Sequence, residues 1–201
     1  MNRTRRFLSV VTLALVVFGA AVATATTVQK FSLQELTQKS SAIVMAKVED
    51  TYSRREAQGG EIYTYITLRV LEPVKGMKGE TSVTIRQIGG RVDNLESIVS
   101  GMPSFRKDEE VVLFLTARDV AGYPWVMGLE QGKYSVVTDE KGRKSVRNEL
   151  SDGLIRMTPD GKTDHGPSVS SDMALGSFLD RIKTDLDEAG KVQVDPTTTN
   201  E

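Results

Sequence analysis

The chain has 201 residues, 39% of them apolar and 26% charged, with no cysteine, a single histidine and a formal net charge of −1. That is enough chain for an ordinary hydrophobic core, and the lack of cysteine excludes a disulfide-stapled scaffold and a lipoprotein anchor. Near-neutral charge gives no general electrostatic ground for binding nucleic acid, whose affinity comes largely from neutralising phosphates with Lys and Arg.

The first 25 residues read as a secretory signal peptide. Arg3, Arg5 and Arg6 precede an uncharged apolar run from Phe7 to Ala23, and Ala23-Thr24-Ala25 supplies the small-x-small pattern of a cleavage site. The rival is a permanent anchor, because the run approaches the ~20 residues that cross a bilayer. Small residues at its end and the lack of a following cationic stop favour cleavage, so the mature chain is expected to begin at Thr26. Arg5-Arg6-Phe7-Leu8 hints at twin-arginine export, although adjacent arginines are common in such leaders. Three of the 26 basic residues leave with the leader, so 23 remain against 27 acidic ones, a net charge of about −4. The expected location is the periplasm or the cell exterior, with membrane contact only through an uncleaved leader.

The mature chain opens on a short helix. Ser32-Leu33-Gln34-Glu35 forms a capping box, Phe31 and Leu36 occupy the positions of a hydrophobic staple, and the helix should end near Ser40. Strands follow. Ala42 to Val48 is apolar except for Lys47. Ile62 to Leu71 alternates, with Ile62, Thr64, Ile66, Leu68 and Val70 on the core face and Tyr63, Tyr65, Thr67 and Arg69 on the other. Arg54 to Glu61 reads as a hairpin loop, and a third strand, Ser82 to Ile88, closes at Gly89-Gly90.

Arg91 to Pro103 keeps no period and reads as an irregular crossing segment. Val111 to Leu115 is a continuous apolar run, as expected of a strand buried on both faces. Tyr123 to Met127 and Lys133 to Val137 add two strands, and a turn at Asp139 to Gly142 leads to a last one, Arg143 to Arg147. Residues 26–148 are thus expected to form one β domain. A loop or linker spans 149–171, marked by Pro159, Asp160-Gly161 and Gly166-Pro167. An amphipathic helix at 172–190 carries Leu175, Phe178, Leu179, Ile182 and Leu186, with a start box at Ser177 to Asp180 and a stop at Gly190. A polar tail, 191–201, is expected to be disordered.

A short helix followed by many short strands predicts a mainly β fold, a closed or nearly closed OB-like β-barrel. The run Ser41 to Val48, then Ile62-Tyr63 with the strand to Val70, then Val74-Lys75-Gly76 with the strand to Ile88, resembles the netrin-like domain of tissue inhibitors of metalloproteinases. Val74-Lys75-Gly76, Gly101-Met102-Pro103 and Glu109 to Leu115 also resemble pieces of a set of uncharacterised exported bacterial proteins. The resemblance covers roughly Phe31 to Arg147 and implies an OB-type barrel. Those inhibitors grip zinc with a disulfide-held amino-terminal cysteine that this chain lacks, so their mechanism does not carry over.

Catalytic signals are weak. His165, between Asp164 and Gly166, reads as an exposed loop histidine rather than a base, and Asp160 and Asp164 lack calcium-loop spacing. Ser104 to Lys107 matches S-x-x-K without its partner motifs and reads as a surface turn. Phosphate and dinucleotide motifs are missing, so neither catalytic residue, metal site nor cofactor is assigned. The candidate ligand face is Tyr63, Tyr65 and Arg69 beside Thr84 and Arg86, because the second and third strands of OB-type barrels carry ligands and aromatics with arginines stack on sugars or bases. A competing reading makes that face the bed of the carboxy-terminal helix, whose apolar stripe needs cover. The expected function is non-enzymatic binding of a protein or glycan, with a protease partner or inhibitor as the alternative and a hydrolase as the third reading.

Overall fold

The computed structural model describes residues 27–57, 60–148, 155–157, 163–164 and 173–192. The leader with its cleavage site, Gln58-Gly59, most of 149–171 and the tail from 193 onward lie outside the described residues, as do Asp160 and His165.

Among the described residues the chain is mainly β. Its centre is a seven-stranded antiparallel sheet of β2 (Ala42–Arg55), β3 (Ile62–Lys75), β4 (Ser82–Ile88), β7 (Glu110–Leu115), β8 (Lys133–Thr138), β9 (Lys144–Arg147) and β12 (Met173–Ala174), in the order β12-β9-β8-β7-β2-β3-β4. A two-stranded ribbon joins β5 (Gly90–Val92) to β6 (Leu95–Ser97). A small sheet pairs β1 (Thr27–Gln29) with β10 (Ile155–Met157) in parallel, and β10 with β11 (Thr163–Asp164). Two α-helices, α1 (Leu33–Lys39) and α2 (Leu175–Val192), and a 3-10 turn at Leu129–Gly132 complete the list.

The entrance helix follows its sequence signal. Ser32 Oγ accepts from the Glu35 amide, and Glu35 Oε2 accepts from the Ser32 amide at 2.8 Å. Phe31 and Leu36 meet in one apolar cluster, as a staple requires.

β2 and β3 run to 14 residues each, further than the sequence periods suggested. Only part of each is shared with a further neighbour: β7 pairs with β2 from Ala42 to Lys47, and β4 pairs with β3 from Tyr63 to Arg69. Register shifts near Ile43, Met45 and Val48 let β2 bend between these partners.

At its centre the sheet is buried on both sides, and β7 shows why its sequence is a continuous apolar run. Val111, Leu113 and Leu115 join Val44, Ala46, Ile66 and Leu68 in an inner cluster. Val112 and Phe114 face the other way, into an outer cluster with Ile43, Leu36 and the α2 residues Phe178, Leu179 and Ile182. Helix α2 therefore lies over β2, β7 and β9, and neither Tyr63, Tyr65, Arg69, Thr84 nor Arg86 belongs to its cluster. That overturns the reading of these residues as its bed.

Other expectations are corrected. Arg91 to Pro103 contains all of the β5–β6 ribbon but Gly90, and the ribbon crosses the sheet so closely that a Cβ on Gly90, at φ +131°, would run into Thr64 Oγ1 and Ser53 Oγ. Tyr123 to Met127 is no strand and keeps one β-bridge, Leu115 to Val126. Pro124 has no N–H, and the Tyr123 amide is taken by Asp119 Oδ1 at 3.1 Å. The same segment still touches two strands: Thr116 N donates to Trp125 O at 2.9 Å, Met127 N to Phe114 O at 2.8 Å, and Arg86 N to Pro124 O at 3.3 Å. Within 149–171, read as a loop, the described residues form β10 and β11. Helix α2 begins at Leu175 rather than at a Ser177 cap, and it runs through Gly190 to Val192.

Candidate functional site

Because facing residues of antiparallel strands share a face, the register puts Tyr52 opposite Tyr65, and Tyr65 opposite Arg86, on the outer side of β2, β3 and β4. Arg54 opposite Tyr63 and Thr67 opposite Thr84 extend that surface. The loop after β7 then closes over it with Asp119, Tyr123 and Trp125.

Arg86 is the hub. Its Nε donates to Asp119 Oδ2 at 2.8 Å, and its guanidinium carbon lies 4.6 Å from the Tyr63 ring centroid, 5.4 Å from that of Trp125 and 5.8 Å from that of Tyr123. Asp119 also accepts from Trp125 Nε1 at 2.7 Å and from the amides of Ala121 and Tyr123. Burial would raise the Asp119 carboxyl, but these donors outweigh it and hold the group below the ordinary carboxylate range. Arg86, penalised by burial, is nonetheless kept above its ordinary value by the Tyr65 hydroxyl and Asp119.

Tyr65 is completely buried. Tyr52 stacks on it at 5.2 Å and 13°, Tyr123 meets it edge-on at 5.2 Å, and the Arg54 guanidinium carbon lies 4.5 Å from its centroid. Its hydroxyl donates to Glu56 and accepts from Arg54 Nη2 at 3.0 Å. Burial first, then the bond to Glu56, raises its pKa. Tyr65 itself is thus closed to solvent, and only its neighbours form the exposed part of this surface. Tyr52 is 45% exposed with one ring face against Tyr65, and Arg54 projects beside it.

The five sequence candidates therefore divide. Tyr63, Tyr65 and Arg86 come together in this cluster. Thr84 faces Thr67 at 3.4 Å, and Arg69, further along β3, pairs with Glu49 at 3.2 Å, so neither joins it. Tyr52, Arg54, Asp119, Tyr123 and Trp125 were missed. Tyr52 and Arg54 share parity with the inward Val44, Ala46 and Val48, and the register shift between Val48 and Asp50 carries them to the opposite face, so alternation alone could not place them. The loop residues had no signal.

Other chemistry-bearing groups are tied up in structure. Ser104 and Lys107 are exposed and outside any helix, so no helical turn brings them together. Lys133 Nζ donates to Glu109 at 2.6 Å and to Ser135 Oγ at 3.2 Å, while Ser135 donates to the same carboxylate at 2.7 Å. An ammonium donating to both has no lone pair to take the serine proton. Among the described residues no group of three or more His, Asp or Glu side chains is placed to hold a metal ion, and no helix is long and apolar enough to cross a membrane.

Neither a family model, a curated protein nor a solved structure matches the chain.

Proposed function

We propose that this is an exported, non-enzymatic binding protein carrying a glycan on the outer face of an OB-like barrel, across Tyr52 and Arg54. The observation that carries this reading is the Tyr52 ring, stacked on Tyr65 and 45% exposed, with Arg54 held over the same Tyr65 ring. A flat, rigid aromatic face with adjacent donors stacks on a sugar ring and bonds its hydroxyls, and Tyr does so with little rotamer entropy to lose. Barrel closure is supported by the Pro124 to Met127 segment, which bonds to β7 on one side and to β4 through Arg86 on the other. Export rests on the leader, and a mature chain starting at Thr26 would begin one residue before β1.

The test is binding of residues 26–201 to an oligosaccharide array. Tyr52→Ala should abolish capture while costing only the ~0.5–1.5 kcal/mol of an aromatic pair. No retained glycan, or capture unchanged in Tyr52→Ala, would overturn the reading. A protein partner is the second reading, favoured by Val120, which is fully exposed on the turn that Asp119 holds rigid. In that case Val120→Asp abolishes partner capture.

A further inference from the structure

We propose that the cleft between α1 and the end of α2 is a separate binding site for a small zwitterion of the amino-acid or dipeptide class, with its carboxylate on Lys75 and its ammonium towards Glu188. The cleft measures about 650 Å³, within the range of small-molecule sites. Leu186 and Ala189 give it an apolar wall, Gln34 and Gln38 present amides one helical turn apart, and Lys75 and Glu188 bring opposite charges to it.

Lys75 is the informative group. Its Nζ donates to Thr37 O at 2.8 Å and to Gln38 O at 3.0 Å, capping the last turn of α1. An ammonium has three donors, so one remains. Among the described residues no carboxylate pairs with Lys75, whereas Lys133, Arg86 and Lys47 have Glu109, Asp119 and Asp108. Burial pulls its pKa down, as expected of a cation deprived of water and given no anion in return. Capping accounts for two Lys75 bonds; an incoming carboxylate accounts for the third donor and the unmatched charge. Glu188, exposed on the facing helix, supplies the complementary charge for an amino group.

The experiment is a heteronuclear NMR titration of residues 26–201 with four probes: L-leucine, Gly-Leu, leucinamide and 4-methylpentanoate. L-leucine and Gly-Leu should shift the amides of Gln38 and Ala189 saturably. Leucinamide, without the carboxylate, should not. Lys75→Met should weaken L-leucine by about tenfold or more. Because that change also removes a helix cap, Glu188→Gln is the second variant: it should weaken L-leucine and leave 4-methylpentanoate unchanged. Tyr52→Ala should alter none of these, which separates this site from the aromatic face. The proposal is overturned by the absence of saturable shifts with any probe, by leucinamide matching L-leucine, or by Glu188→Gln binding L-leucine as the wild type does.

Discussion

Asp119 does more than any other side chain to define the aromatic face, because one carboxylate collects a guanidinium, an indole N–H and two backbone amides. Asp119→Asn leaves Arg86 without its anion in a setting where the pair is mostly sheltered from water, and should cost about 1–3 kcal/mol. Trp125 is the only tryptophan in the chain, so its emission reports the change directly, and an unaltered spectrum and midpoint would show that the loop is held by something else. The pH sign follows from the lowered carboxyl of Asp119. Its contribution is complete above the unfolded pKa of ~3.9 and is lost as pH falls through the lower folded value. Glu109 adds to the same acid limb: burial opposes its ionisation, but Lys133 and Ser135 outweigh that and lower its pKa. Thermal melts from neutral pH down to ~3 should therefore show stability falling at the acid end, and less steeply in Asp119→Asn. At this scale the sequence was half legible. Alternation along β3 placed Tyr63 and Tyr65 on one face, yet it could not show that Tyr65 is sealed by a loop distant in sequence.

Elements were most legible where the signal is local. The capping box at Ser32 needs only four consecutive residues, and α1 forms as they require. Ser32→Ala should lower stability by about 0.5–2 kcal/mol, since it removes the acceptor for the Glu35 amide. An unchanged chemical denaturation midpoint would mean that packing of Leu36 alone holds the helix. Signals failed where tertiary contacts compete with them. Gly190 has open space around it and sits within α2, because Leu186 and the preceding apolar residues dock the helix on the sheet beyond the reach of a local stop signal. Tyr123 to Met127 has strand-like composition, but the carboxylate of Asp119 takes the amide that a ladder would need. The β5–β6 ribbon has no period to read, since it is too short for alternation to register.

For the whole molecule, β7 is the strand that couples the two apolar clusters, with alternate side chains in each. The sequence announced a strand buried on both faces but not what buries it. β2, β3 and β4 pair in succession, but the place of β7 beside β2 depends on a pairing between distant segments, and the docking of α2 on β7 and β9 rather than on the tyrosine face depends on Phe178 meeting Phe114 and Tyr134. Such choices are made by three-dimensional packing, which periodicity alone does not encode. The coupling has a measurable consequence. Ile182 is fully buried in the outer cluster and Ile85 fully buried in the inner one. Truncating either to Ala should cost about 2–5 kcal/mol, the range for emptying an aliphatic core site. Because β7 belongs to both clusters, each variant should unfold in one transition, with circular dichroism and Trp125 fluorescence coinciding. A different result would follow if α2 were an independent lid. Ile182→Ala would then shift only the helical signal, leaving Trp125 and the β4 amides as protected as in the wild type. Separate transitions in that variant would show that the outer cluster opens alone and that β7 does not transmit its loss to the inner core.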